Sequence, residues 1–248
     1  MKLIKTIHCV WLGKNLDAFA NACVNDWQKQ GYNVKIWLET DPWIKELIEE
    51  NKFARECYKR KLYAFVSDWI RLKVLEKYGG FYLDTDVTLL KNIFELVRGY
   101  DFIISFENET TINPAIMYSI PNSKQVKAMI EFYEKEIWES NLYIQPMIAN
   151  YVFKQFGLQQ NNKEQEIKGN GMVYTSEYFH SYSGNENYNF KKIDSKTYGV
   201  HWFKNSWGND PKRNFLRCKN KTIFGKLNIY QKYYINILLK LIKKRNRR

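Results

Sequence analysis

The chain opens on a β-branched, apolar run, Leu3-Ile4-Lys5-Thr6-Ile7-His8-Cys9-Val10-Trp11-Leu12, that stops at Gly13. Such a run, bounded by glycine, predicts a buried first strand. Residues 16–30 predict a helix that ends before Gly31, and residues 33–38 predict a second strand. Asp41 then predicts a helix cap, with Pro42 at the first helical position, where a missing N–H costs nothing. Strand, helix, strand, helix in this order predicts an α/β fold, a mostly parallel sheet with helices on its faces.

The clearest helix spans residues 62–78. Leu62, Phe65, Val66 and Trp69 fall at i, i+3, i+4 and i+7, one apolar stripe facing the sheet. Gly79-Gly80 predicts a left-handed cap. Phe81-Tyr82-Leu83 predicts a short strand that ends on the acidic triplet Asp84-Thr85-Asp86. Further strands are expected at 102–106, 114–120 and 198–203, and helices at 122–138 and 145–156. The stretch 159–190, rich in Asn, Gln, Glu, Lys, Gly and Ser, reads as loop with short strands.

Length and composition fit this picture. A chain of 248 residues with 45% hydrophobic and 17% aromatic residues can bury one large domain, with or without an appendage. Cys9, Cys23, Cys57 and Cys218 show no CxxC pair and no metal-ligand spacing, so they read as reduced thiols of a cytoplasmic protein. Met1 to Lys5 begin no secretory signal, and no run approaches the roughly 18 apolar residues of a membrane span.

Charge changes the picture. The net charge is +13, yet the last acidic residue is Asp210, and residues 1–210 hold 26 acidic and 26 basic side chains. All the excess sits in residues 211–248. A nucleic-acid-binding body, which would be basic itself, is therefore excluded. The expected organisation is a neutral domain over 1–210 and a basic amphipathic tail over 211–248. In that tail Tyr230, Tyr233, Tyr234, Ile237, Leu238 and Leu241 share one helical face, and eight Lys or Arg residues follow from Lys226 onward. Such a helix suits either packing on the body or an anionic membrane surface.

The candidate chemistry lies at Asp84-Thr85-Asp86. Two carboxylates one residue apart at a strand end concentrate negative charge that a cation would neutralise. Hard oxygen ligands favour Mg²⁺ or Mn²⁺, ions that bridge carboxylates to phosphate oxygens. Open α/β sheets bind ligands beyond the carboxyl ends of their strands, where this triplet lies. On the preceding helix Ser67, Asp68 and Arg71 share one face and can reach the same mouth.

The pattern Ser67-Asp68-x-x-Arg71 through Gly79-Gly80-x-Tyr82-x-Asp84-x-Asp86 resembles the DXD-containing sugar-transferase family. This family includes fungal initiating mannosyltransferases and bacterial capsule, exopolysaccharide and lipopolysaccharide transferases, and is related in fold to the glucosylating domains of clostridial toxins. Ile7-His8-Cys9-Val10-Trp11-Leu12-Gly13 is similar to its opening motif, and His201 to Trp207 to its closing one. The resemblance implies a GT-A type fold and a metal-dependent, generally retaining glycosyltransferase of bacterial surface polysaccharide synthesis. It implies a nucleotide-sugar donor, UDP-sugar first and GDP-mannose second, and a glycan or lipid-linked glycan acceptor at the cytoplasmic face of the membrane.

Residue by residue, the resemblance implies that Trp11 stacks on the nucleobase. Asp68 and Arg71 would contact ribose, sugar or diphosphate, and Arg71 would stabilise the leaving diphosphate. Ser67 shares their face, and Tyr82 would line the sugar pocket. Asp86 would bind the metal directly, with Asp84 assisting and His201 as a further ligand. Asn113 would lie near the donor sugar, and Ser206 and Trp207 would clamp the diphosphate.

Two other readings compete. Asp84-Thr85-Asp86-Val87-Thr88 also fits the opening of haloacid-dehalogenase-type, Mg²⁺-dependent phosphatases. There it follows the first strand, whereas here about eighty residues precede it, and no late acidic pair is present. A non-enzymatic membrane-binding protein, working through the tail, would leave the acidic triplet without a purpose.

Overall fold

The computed structural model of the protein describes residues 3–13, 15–182, 189–204 and 211–245. The chain runs β1 (Thr6–Trp11), α1 (Ala18–Lys29), β2 (Asn33–Leu38), α2 (Pro42–Glu50), α3 (Lys52–Lys59), α4 (Tyr63–Tyr78), β3 (Gly80–Leu83) and β4 (Val87–Leu89). It continues through β5 (Phe102–Phe106), β6 (Ile112–Ser119), α5 (Lys124–Glu131), α6 (Gln145–Phe153), β7 (Gln165–Ile167) and β8 (Gly171–Tyr174). β9 (Gly199–His201), α7 (Asn214–Cys218) and α8 (Ile223–Arg245) close it.

Seven strands form one sheet in the order β2-β1-β3-β6-β5-β8-β7. Pairs β1–β2, β1–β3 and β5–β8 are parallel, while β3–β6, β5–β6 and β7–β8 are antiparallel. Five strands thus point one way, and β6 and β7 run against them. The central strands are buried on both faces, which explains their unbroken apolar runs. In β1, Ile7 and Cys9 join one core layer and Val10 the other. Helices α2 to α6 cover the face that holds Val10, Tyr82 and Phe102. Helix α1 covers the opposite face, where Cys23, Val24 and Trp27 meet Phe81 and Leu83.

The structure refines several expectations. The first strand is Thr6–Trp11 rather than 3–12, matching the six residues that pair with β2. Asp41 stands at the N-cap of α2, but its carboxylate accepts from the Leu38 N–H (3.0 Å) and closes the preceding turn. Helix α3, not expected, starts on Asn51, whose side chain accepts from the Ala54 N–H at 2.9 Å. The helix expected over 122–138 is α5 followed by a π-helical turn at Phe132–Glu136, which lets Phe132 and Tyr133 both face the core. The expected loop over 159–190 does contain two short strands, β7 and β8.

The turn between α4 and β3 fixes the approach to the acidic triplet. Gly79 donates its N–H to Leu75 O (3.0 Å) at φ 64°, ψ −165°, a conformation open to glycine and not the left-handed helical one expected. A Cβ on Gly80, at φ 92°, would stand 2.5 Å from the Thr6 carbonyl oxygen. The double glycine therefore lets β3 lie tightly against β1 and delivers Asp84 to the sheet's carboxyl edge.

Candidate metal and nucleotide-sugar site

At that edge a cleft of about 860 Å³ opens. Trp11 reaches it from the end of β1, Asp84 and Asp86 from the end of β3, Glu107 from the end of β5 and Asn113 from β6. Ser67, Asp68 and Arg71 of α4 line one wall, and His201 of β9 another. Strand β9 pairs with β4, and Val87 lies opposite His201. This small antiparallel pair, which sequence reading did not foresee at β4, carries His201 from far along the chain to the side of Asp86.

Asp84 sits in a buried charge network. Its Oδ1 accepts from Arg71 Nη2 and from the Tyr82 hydroxyl, both at 2.9 Å. Arg71 Nη2 also meets Asp68 Oδ1 at 3.1 Å, and Nη1 donates to the Pro114 carbonyl at 2.9 Å. The guanidinium stands 4.4 Å from the centre of the Tyr82 ring. Arg71 is only 5% exposed, so its charge works among protein groups. Burial pushes the Asp68 carboxyl up to about 7, against the pull of Arg71, with Asp84 adding to the rise. Burial also raises Asp84, which Arg71 opposes and Asp86 reinforces. Ser67 donates to the Ala64 carbonyl at 2.8 Å while facing the cleft.

Asp86 behaves differently. Burial would raise its pKa, but the His201 ring and the Lys204 N–H hold it below the usual carboxylate value. His201 Nε2 lies 3.4 Å from Asp86 Oδ1, and Lys204 N donates to Oδ2 at 2.7 Å. The Trp202 N–H donates to the Asp86 carbonyl at 2.9 Å. Burial alone would lower His201; the bond to Asp86 and the charges of Asp86, Asp84 and Glu107 raise it instead. Phe203 carries the strained φ of 49° and lies 4.2 Å from the His201 ring, centre to centre.

Asp84, Asp86 and His201 each offer a ligand atom within 4.8 Å of the others. An ion bonded at about 2.0–2.6 Å holds ligands up to roughly 4–5 Å apart, so the set fits a divalent cation. His201 brings Nε2 to within 3.4 Å of Asp86 Oδ1, while its Nδ1 is buried without a hydrogen-bond partner. Two carboxylates and one imidazole form a donor set that can hold a divalent ion such as Mn²⁺ or Mg²⁺.

Every expected site residue that the structure describes lines this one cleft: Trp11, Ser67, Asp68, Arg71, Tyr82, Asp84, Asp86, Asn113 and His201. Ser206 and Trp207 lie outside the described residues, as does the expected domain boundary at 210. Sequence reading missed Glu107, Asp17 and Lys204. Asp17 caps α1 through the Ala20 N–H (2.9 Å) and accepts from Lys204 Nζ at 2.9 Å. A helix-capping residue just before an apolar period was the available signal. Trp11 also lines an adjoining cleft of about 300 Å³, beyond the carboxyl ends of β1 and β2.

Residues 10–110 match the family described as the glycosyltransferase sugar-binding region containing a DXD motif. This stretch is similar to a glycosyltransferase sugar-binding region of the DXD type. The chain is 28% identical over 149 aligned residues to the subversion of eukaryotic traffic protein A of Legionella pneumophila. That match covers 48% of this chain, which spans only 23% of the relative's length. The solved structure of the PaToxG glycosyltransferase is similar at 21% identity and TM-score 0.44, over 61% of this chain and 68% of that one. A glycosyltransferase involved in the glycosylation of the major capsid of PBCV-1 is similar at 17% identity and TM-score 0.48, over 79% and 92%.

The Arg71 network makes a stability prediction. Arg71→Ala leaves two carboxylates facing each other without a cation, and is expected to lower unfolding free energy by about 3–5 kcal/mol. Arg71→Lys should recover only part, because one ammonium cannot bridge Asp68, Asp84 and the Pro114 carbonyl together. Urea denaturation checks this; full stability in Arg71→Lys would show that the fork geometry is not needed.

Proposed function

We propose that this protein is a glycosyltransferase that moves a hexose from a nucleotide sugar to a glycan acceptor, with a divalent cation held by Asp86, Asp84 and His201. The observation that carries the reading is the meeting of these three side chains, from β3's end and β9, on the wall of a cleft at the sheet's carboxyl edge. When bound, the cation neutralises charge developing on the departing diphosphate.

The chain's own residues divide the work. Trp11 offers its indole to the nucleobase. Arg71 favours the charged form of Asp84 and holds it in place through a 2.9 Å bond, so it serves the reaction through Asp84 more than by touching phosphate. Ser67, Asp68, Tyr82 and Asn113 shape the ribose and sugar side of the cleft, and the family resemblance assigns Ser206 and Trp207 to the diphosphate. We favour a retaining, front-face reaction and a UDP-sugar, with GDP-mannose as the alternative donor. The acceptor class we favour is a lipid-linked glycan of bacterial surface polysaccharide.

Helix α8 supports that acceptor. Ile223, Phe224, Leu227, Tyr230, Tyr234 and Leu238 are exposed along it, so the apolar face begins earlier than its spacing predicted. Tyr233 is half-buried, and the side chains of Ile237 and Leu241 lie outside the described residues. Helix α7 does pack on the body, with Leu216 in the main core. No helix among the described residues is long and apolar enough to cross a membrane. An exposed apolar face in a segment without acidic residues fits peripheral attachment to an anionic, cytoplasmic leaflet.

Two outcomes test these readings. EDTA should abolish nucleotide-sugar hydrolysis and transfer, Mn²⁺ should restore both, and Asp86→Ala should lose at least ~10²-fold in rate, the scale of a lost transition-state stabiliser. Undiminished turnover in Asp86→Ala would remove the metal assignment. The full chain should cosediment with phosphatidylserine-containing vesicles in low salt and be released by high salt. Protein that stays in the supernatant at low salt would overturn the membrane reading.

A further inference from the structure

The order of strands along the ligand edge suggests where each part of a donor lies. Trp11 ends β1, Asp84 and Asp86 follow β3, Asn113 stands in β6 and Glu107 follows β5, in the spatial order β1-β3-β6-β5. Adjacent strands lie about 4.8 Å apart, so β5 is roughly 10 Å beyond β3. A nucleotide sugar with its base at Trp11 and its diphosphate at the acidic triplet extends its sugar toward Asn113 and Glu107.

Glu107 is held there with care. Asn113 Nδ2 donates to Glu107 Oε2 at 2.7 Å, while Asn113 Oδ1 accepts from the Ala115 N–H at 2.8 Å. The second bond fixes which way the amide faces, so the first fixes the carboxylate. The irregular register between β5 and β6 at Ile104/Ser105 and the bond from Glu107 N to Thr111 O (2.7 Å) shape the hairpin that presents the pair. Among the described residues Glu107 is not part of the group able to hold a cation. Its half-buried carboxyl is raised by burial, opposed by the Asn113 bond and by His201. A carboxylate close to a diphosphate repels it, whereas beyond the diphosphate it meets only hydroxyl groups, which it can accept from.

On the nucleotide-sugar reading above, we infer that Glu107, oriented by Asn113, accepts hydrogen bonds from hydroxyls of the donor hexose and sets which sugar the cleft takes. The interaction acts on the sugar and not on the nucleotide. A buried group built to bond a hydroxyl discriminates strongly against ligands that lack it.

The test compares affinities of the full chain with Mn²⁺ present. UDP, GDP, UDP-glucose, UDP-galactose, UDP-N-acetylglucosamine and GDP-mannose are titrated calorimetrically into wild type, Glu107→Gln and Glu107→Ala. The nucleotide sugar that wild type binds most tightly should weaken at least ~10-fold in Glu107→Ala, the scale of a hydrogen bond to a charged group. Glu107→Gln, which keeps the Asn113 bond, should fall between. The matching nucleoside diphosphate should stay within about twofold in both variants, which also shows that they fold. Equal weakening of diphosphate and nucleotide sugar, or no change in either, overturns the assignment of Glu107 alone. Wild type that binds none of the six overturns the nucleotide-sugar reading and this inference with it.

Discussion

Repulsion between Asp84 and Asp86 is the constraint around which the site is built. Two carboxylates brought to one strand end in a half-buried cleft need positive partners on both sides. Arg71 answers Asp84 from α4, and His201 answers Asp86 from β9, with the Lys204 N–H adding a third donor. The two halves respond in opposite ways: Asp84 is raised by burial, while Asp86 is held below its usual value by His201. One carboxylate is thus tied into the protein, and the other is kept charged and turned toward the cleft, as a cation ligand must be.

The packing follows from the same demand. Arg71 can be buried only because Asp68, Asp84 and the Pro114 carbonyl surround it, and this draws α4, β3 and β6 together. Gly79 and Gly80 turn α4 into β3 with no side chain in the way, so the helix that supplies Arg71 and the strand that supplies Asp84 share one short loop. His201 reaches the site by pairing β9 with β4 across a long stretch of chain.

Much of this was legible in the sequence where local signals were strong. The apolar stripe of α4, the double glycine and the acidic triplet carried their own spacing, and the resemblance brought Trp11, Asn113 and His201 into view. Less was legible where tertiary contacts decide. The Asp41 side chain turned back to Leu38 instead of capping a helix amide, a choice that spacing does not record. Strand β4 is three residues long and exists through its pairing with β9. Glu107 gave no signal because a glutamate after a strand is ordinary until Asn113 is seen to hold it. The tail was read as one amphipathic face, yet that the face starts at Ile223 and stands exposed is visible only in the structure.

The claim that Asp84, Asp86 and His201 form a cation site is tested most directly by crystals grown with Mn²⁺ and UDP, with anomalous diffraction measured at the manganese edge. The account predicts a single strong anomalous peak at bonding distance, about 2.0–2.6 Å, from Asp86 and His201, next to the diphosphate. A bound diphosphate with no anomalous peak there, or a peak elsewhere in the cleft, would contradict it.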